Sequence, residues 1–498
     1  MNEREYKFTF VEPVPGMCIG KSVVLKSGVY EFSSGEGIII RGENITIDGN
    51  GAIFCGPGSL DKGTKSFKGT GIIIERSKNI VLKNFVVKGF QKGLHVIESD
   101  NIIIENNDFS DNFTDPEYGW GDGEPYGAIL MEYCNGCTIK NNKGNNVWNG
   151  LNLRYCYENE VIENTFSHCS NVCLLLWGSS RNVVRNNNLS WGLRIKPGEV
   201  HARDSACLLV EHGSNDNRFY NNDFTHGGDG IFIRSLDGVI STGNYFEGNN
   251  CSYANNNAIE CWSPGNTFVK NIANNSSYGF WMGGSDHTLI QENEIAYNGT
   301  NFHNAPEKDF GNAGVAVVHG SSNHFKLIGN NIHDNNGPGV AIGFKKGYPA
   351  YHWIIQHNVI QNNTSHGIYL RDSKWMNIGG NIIKGNGGEE IYYGQNVSDI
   401  FVRTVAPGEQ APCARVKVSA HVIPLGAEVV FDALGSTDPE GRELTYRWEL
   451  GDGTIAETAV VRHRYERPGF YKVGLTVSNG KLADIVGLEI YVYKHGQY

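Results

Sequence analysis

Gly230-Ile231-Phe232-Ile233-Arg234 is a small residue followed by side chains that alternate apolar and variable. The pattern recurs at Gly71-Ile72-Ile73-Ile74-Glu75, Gly93-Leu94-His95-Val96-Ile97, Gly150-Leu151-Asn152-Leu153-Arg154, Gly279-Phe280-Trp281-Met282 and Gly367-Ile368-Tyr369-Leu370-Arg371. Alternation of this kind gives a strand with one buried and one exposed face. Copies begin at 37, 71, 93, 127, 150, 172, 206, 230, 258, 279, 314, 339, 367 and 390, and the shortest spacings are 21 to 25 residues. An Asn-rich second strand follows, as in Asn101-Ile102-Ile103-Ile104-Glu105-Asn106-Asn107 and Asn182-Val183-Val184-Arg185-Asn186-Asn187. A repeat of this length is the signature of a solenoid. Gly and Asn punctuate the bends because both tolerate positive φ. No helical period lies between the strands and no Leu recurs at fixed places, which excludes a leucine-rich repeat. What remains is an all-β solenoid of three short strands per turn. About 14 rungs, rising roughly 4.8 Å each, make a rod about 65 Å long.

These repeats, over roughly residues 20–400, resemble the right-handed parallel β-helix superfamily of pectate lyases, polygalacturonases and alginate epimerases. The resemblance implies the fold and a carbohydrate ligand. It carries over no catalytic residue: the Asp-Pro-x-His-Asp motif of alginate epimerases is absent, as are the signatures of polygalacturonases. Residues 1–36 are expected to cap the open core, with the β-helix over 37–400. Residues 401–412, with two prolines and a glycine, read as a linker. Beyond it the strands lengthen, as in Tyr471-Lys472-Val473-Gly474-Leu475-Thr476-Val477, and predict a small β-sandwich over 413–498. Gly435-Ser436-Thr437-Asp438-Pro439-Glu440-Gly441, Trp448-Glu449-Leu450-Gly451-Asp452-Gly453 and His463-Arg464-Tyr465 before Pro468-Gly469 resemble a PKD domain, with Leu450 where that family has Phe. Such modules accompany secreted or cell-surface proteins, which implies that location.

The net charge of −11 argues against a nucleic-acid partner. No apolar run is long enough to span a membrane, and no signal peptide is recognised at Met1. A solenoid capped at both ends is expected to be a monomer. Of the 11 cysteines, Cys173, Cys207 and Cys261 fall where core thiols would stack. Cys134-Asn135-Gly136-Cys137 lacks the further ligands of a zinc site. No cofactor is implied, although an oxygen-rich loop such as 109–126 is where calcium would bind.

Function is expected where the period breaks. Rungs are lengthened at 109–126, 190–205 and 299–313, each time just before the next first strand, so the insertions project from one side of the rod. The first holds Asp111, Asp115, Glu117, Tyr118, Trp120, Asp122, Glu124 and Tyr126, without Lys or Arg. The second holds Trp191, Arg194, Lys196, Glu199, His201, Arg203 and Asp204; the third holds His303, Glu307, Lys308 and Asp309. Outward positions between them include Asn152, Arg154, Arg234, Glu260, Trp262 and Trp281. Aromatic faces for stacking on sugars, with carboxylates and arginines for hydroxyls, point to a polysaccharide cleft.

Glycoside hydrolysis needs two carboxyls flanking one bond, and neighbouring rungs supply that separation. Asp229, Glu260, Asp204 and Glu211 are the catalytic candidates. Glu260 beside Trp262 suits a general acid, and Asp229 a base or nucleophile. Substrate contacts are assigned to Arg234, Trp262, Trp281, Arg154, Asn152, His201, Arg203, Trp191, Trp120 and Tyr126. Asp229 could instead cap a bend, and His226 and His287 read as turn residues. Two readings compete. A polysaccharide lyase or uronate C5-epimerase would use Arg154, Arg194, Lys196, Arg203 and Arg234 with His201 or Tyr126 as base. A non-catalytic surface carbohydrate-binding rod would scatter its polar residues rather than cluster them.

Overall fold

A computed structural model describes residues 10–119, 121, 123–196, 198–305, 310–319, 322–343 and 350–494. The repeats wind into a right-handed parallel β-helix. One face is a 15-stranded sheet and a second a 16-stranded sheet. The third is a three-stranded and a four-stranded sheet, joined by single bridges from Val86↔Asp108 to Ile272↔Glu294. The 15-stranded sheet contains every predicted first strand and one more at Cys18–Ile19. Strands Phe10–Val11 and Ser398–Arg403 are the two edges of the 16-stranded sheet.

The core is the inward half of the alternation. Ile231, Ile233, Ile259, Phe280 and Met282 are fully buried, and so are Cys173, Cys207 and Cys261, all free thiols. Phe219, Phe246 and Phe268 stack at ring separations of 4.6 and 5.0 Å. Cys134 and Cys137 are likewise buried free thiols, and burial pushes Cys137 up to about 12.

The Asn doublets have two jobs. The first member takes the left-handed turn, as at Asn106, Asn141, Asn186 and Asn221 with φ between 50° and 56°. The second is buried. This second position, also where Glu163, Gly248 or Lys270 takes the left-handed turn before it, hands its side-chain N–H to the next rung's Asn along Asn107, Asn142, Asn164, Asn187, Asn222, Asn249 and Asn271, at 2.9–3.1 Å. The line continues through Asn293, Asn330, Asn358 and Asn381 at 2.9–3.1 Å. A parallel line runs through Asn159, Asn182, Asn217, Asn244 and Asn266.

The second domain is a sandwich of a three-stranded and a five-stranded sheet around Phe431, Trp448, Leu450, Tyr465 and Leu475. It is docked on the rod. His287, His324 and His352, all with positive φ, stack at 4.9 and 5.0 Å, and Trp375 continues the stack at 4.9 Å. The sandwich meets them with Gly474 and Gly487, where an added Cβ would lie 2.8 Å from His352 and 2.4 Å from His287. Lys472–Asp286 at 2.6 Å and Lys326–Asp484 at 2.5 Å cross the joint, and Gln356 donates to the Ala483 carbonyl at 3.0 Å.

Burial depresses His287, takes His324 down to about 2 and takes His352 down to about 3. Lys472, Arg447 and Lys374 facing the stack add to this, while Asp286 and Glu489 oppose it at His287. The docked histidines bind fewer protons than free ones. Their stabilisation is therefore complete above about pH 6.5 and is lost as pH falls below it, at about 1.4 kcal/mol per unit for each of His324 and His352. Glu449, pushed up to about 7 by burial, acts in the opposite sense over a narrower range. Small-angle scattering between pH 7.5 and 4.5 should show the sandwich leaving the rod as an increase in radius of gyration. An unchanged radius at pH 4.5 would contradict this account.

Candidate functional site

Strands Ala206–Glu211, Asp229–Ile233, Asn257–Cys261 and Tyr278–Gly283 lie side by side in the 15-stranded sheet. Their register aligns Leu209, Phe232, Glu260 and Trp281 on the outer face. Ile259 and Cys261 point inward, so parity places Glu260 outward. Asp229 and Asn257 open neighbouring strands. The Asn257 backbone N–H and its Nδ2 both donate to Asp229 Oδ1 at 3.0 Å. The same Nδ2 donates to Glu260 Oε2 at 2.7 Å, and the Trp262 indole donates to Glu260 Oε1.

Burial comes first in raising Glu260 to about 7; nearby Asp204 adds repulsion, and the Trp262 and Asn257 hydrogen bonds offset part of the rise. Asp229, 5% exposed, is pushed well above the usual carboxylate range by burial and then by Glu260. Two carboxyls sharing one amide donor in a desolvated place cannot both ionise cheaply.

Arg234 closes one side. It reaches Glu211 Oε2 through Nε at 2.6 Å and Asp204 Oδ2 through Nη1 at 3.3 Å. Glu211 is 1% exposed, so it faces Arg234 rather than the cleft, whereas the Asp204 side chain is 31% exposed. Aromatic rings close the other side. Tyr278 and Trp281 lie 4.6 Å apart, and Ala305 and Phe310 of the third insertion pack with them and with Trp262.

The first two insertions lock together. Arg203 donates to the Glu117 and Tyr118 carbonyls at 2.8 and 2.6 Å and pairs with Glu199. Arg194, 1% exposed, lies over Trp148 and Tyr118 at 4.7 and 5.6 Å and bonds the Ser170 and Asp204 carbonyls.

The structure thus gathers Asp204, Asp229, Glu260, Arg234, Trp262 and Trp281, and leaves other predicted residues elsewhere. Asn152 faces outward but is 1% exposed. Arg154 stacks over Trp177 at 5.2 Å. Both faces of Trp191 are covered, by His168 at 5.5 Å and His226 at 4.4 Å, so no sugar can stack there. Tyr126 packs edge-on against Phe113, and His201 is exposed at the insertion surface. Trp120, Asp122, Glu307, Lys308 and Asp309 lie outside the described residues. Asn257 and Tyr278 are additions. Asn257 sits in Asn255-Asn256-Asn257, a run that reads as bend punctuation in sequence. Among the described residues no three His, Cys, Asp or Glu side chains group as a metal site requires. No helix there is long and apolar enough to cross a membrane.

Arg234 neutralises a nearly inaccessible carboxylate. Arg234→Ala should therefore cost about 3–5 kcal/mol in chemical unfolding, and Arg234→Met with Glu211→Leu should recover most of it. Wild-type stability in the single variant would show that Arg234 serves the cleft alone.

Residues 34–271 match the family model described as periplasmic copper-binding protein (NosD), residues 251–404 that of the right handed beta helix region, and residues 409–484 that of the PKD domain. Among curated proteins, collagenase ColA of Clostridium perfringens (strain 13 / Type A) is 31% identical over 103 residues, 20% of this chain and 9% of ColA. Collagenase ColQ1 of Bacillus cereus (strain Q1) is 40% identical over 53 residues, 11% of this chain and 6% of ColQ1. The chain thus spans less than a tenth of either collagenase. Among solved structures, the mannuronan C-5 epimerase AlgE6 A-module of Azotobacter vinelandii is 15% identical, covering 78% of this chain and 91% of that one, with a TM-score of 0.36. The catalytic domain of a GH87 alpha-1,3-glucanase is 13% identical, covering 78% and 64%, with a TM-score of 0.42. PfbA, a surface adhesin of Streptococcus pneumoniae, is 12% identical, covering 76% and 86%, with a TM-score of 0.36. Scores this low transfer no activity. The chain is a right-handed parallel β-helix followed by a PKD domain.

Proposed function

We propose that the protein is a secreted or cell-surface glycoside hydrolase acting on a polysaccharide. The observation that carries this reading is the carboxyl group of Glu260, raised to about 7 on an outer sheet face beside Asp204, Asp229 and an aromatic wall. With a value raised to about 7, Glu260 keeps a substantial protonated fraction near neutral pH and is partly exposed, as a donor to a glycosidic oxygen must be. Its partner is Asp204, partly exposed and charge-paired with Arg234. Asp229, which the sequence assigns as base or nucleophile, is buried and favours its proton; its role in this reading is to hold Asn257 against Glu260. Glu211 holds Arg234 in place. A location outside the cytoplasm fits the periplasmic description of the matching family model.

Elimination or epimerisation of a uronate needs cations aimed at the substrate carboxylate. The predicted arginines are engaged elsewhere: Arg234 with Glu211 and Asp204, Arg203 with Glu199, Arg194 with backbone carbonyls, and Arg154 over Trp177. That supports hydrolysis over the competing chemistry. A cluster of polar residues with a perturbed carboxyl supports an enzyme over a binding rod.

Glu260→Gln should lower kcat by about 10²–10⁴-fold with substrate affinity retained. Asp204→Asn should lose turnover comparably. Because Glu260 acts in its protonated form, kcat should fall as pH rises through about 7. Undiminished turnover in Glu260→Gln, or a rate still rising above pH 8, would overturn the assignment.

A further inference from the structure

The joint between rod and sandwich treats its charges in two ways. Over the histidine stack each lysine meets a carboxylate, Lys472 with Asp286 at 2.6 Å and Lys326 with Asp484 at 2.5 Å. At the end nearest the last rung that pairing stops. There a groove of about 310 Å³ opens between the domains, lined by Asn377, Phe401 and Arg403 of the rod and by Thr445, Arg447 and Thr476 of the sandwich.

Strand order brings these side chains together. Ser398–Arg403 is an edge of the 16-stranded sheet, with Phe401 in register with Asn377. Ile378 points into the core, so Asn377 points outward, and Phe401 and Arg403 beside it do the same. On the sandwich Trp448 lies in the core, so Arg447 and Glu449 face the other way, opposite Thr476 and Gly474. Gly474 rests on the histidine stack, so this face is turned to the rod.

Neither guanidinium is neutralised. Arg403 is half-buried; its Nη1 donates to Asn377 Oδ1 at 3.2 Å, and its guanidinium carbon lies 5.7 Å from the centre of the Phe401 ring. Among the described residues no carboxylate pairs with it. Burial depresses it, and no acid opposes that. Arg447 stands 3.8 Å from Glu449, and its Nε is buried without a hydrogen-bond partner. Glu449, pushed up to about 7 by burial, carries only part of a charge at neutral pH. Glu457 also lines the groove and pairs with neither arginine. Lys374, over the Trp375 ring at 4.5 Å, adds a third cation beside Glu449, with Asp399 as the opposing carboxylate. A desolvated guanidinium without a counter-ion costs free energy, and two of them lining one joint work against docking.

We infer that this groove binds a small oxyanion, held between Arg403 of the rod and Arg447 of the sandwich. The planar fork of a guanidinium matches the oxygens of a carboxylate or a phosphate, and the Thr476 hydroxyl supplies a further donor. The volume suits a phosphate ion or a single acidic sugar ring. A bound anion ties the two domains together, at a place separate from the Glu260 cleft and independent of its chemistry.

The test is calorimetry of the intact protein at neutral pH, in buffer without other oxyanions, against inorganic phosphate, galacturonate and galactose. Saturable binding of an anion with a Kd of about 0.1–1 mM is expected, and none of galactose. Phosphate bound more tightly than galacturonate identifies a free oxyanion as the ligand; the reverse identifies an acidic sugar. Arg403→Gln and Arg447→Gln should each weaken binding about tenfold or more, the order of one charge-assisted hydrogen bond. Arg403→Lys keeps the charge without the fork, and should bind several-fold more weakly than wild type while small-angle scattering shows the sandwich still docked. No saturable binding of either anion below about 10 mM, equal binding of galactose, or affinity undiminished in both glutamine variants would overturn the inference.

Discussion

The structure depends on the buried side-chain amide passed from rung to rung. Asn222 shows the accounting. Its Nδ2 donates to the Val184 carbonyl and to Asn249 Oδ1, its backbone N–H donates to Asn249 Oδ1, and its own Oδ1 accepts two bonds from Asn187. A tight corner between sheets leaves peptide groups that no strand can pair, and each would cost about 1–3 kcal/mol if buried unsatisfied. Asparagine supplies both a donor and an acceptor at the corner, and stacking lets each copy complete the next. Because the line fixes rung spacing and rotation together, every first strand arrives on the same face in the same register.

That register is what allows a site to exist. Glu260 is held outward by Ile259 and Cys261 in the core, and Asp229 is brought beside it by Asn257. The rod supplies placement, and the three insertions supply walls and dryness. Desolvation then does the chemical tuning: it raises Glu260 to about 7, while the partly exposed Asp204 keeps Arg234. The same economy appears at the PKD joint. There three imidazoles are buried neutral against two glycines, and the charges at the edge are paired across the interface.

The fold was legible in the sequence because period two within strands and a period near 22 residues between them are written in residue types that serve only one arrangement. The positions of Asp229, Glu260 and Arg234 followed from the same alternation. Three things were not legible. Asn257 looks like its turn-forming neighbours, and only the register shows it bridging two carboxyls. Glu211 and Arg234 are both polar and near one another in the repeat, but which of them the cleft can reach is decided by burial at 1% and 14% of the side chain. Trp191 and Trp281 are both aromatic residues on the insertion side. One is 40% exposed but has its faces in a stack with two histidines, and the other, less exposed, packs on Tyr278 beside Trp262. Sequence gives the residue at a corner, not the neighbour one rung away that occupies its faces.

The central claim is that the acid cluster around Glu260 hydrolyses a glycosidic bond. The most direct measurement exposes neutral and uronic polysaccharides to the intact protein and follows new reducing ends together with unsaturated-uronate absorbance, with and without chelator. The account predicts new reducing ends from a neutral polysaccharide, no unsaturated product, and no effect of chelator. Unsaturated uronate appearing in step with cleavage would contradict it, and would move the chemistry from the carboxyl cluster to a base that abstracts a carbon-bound proton.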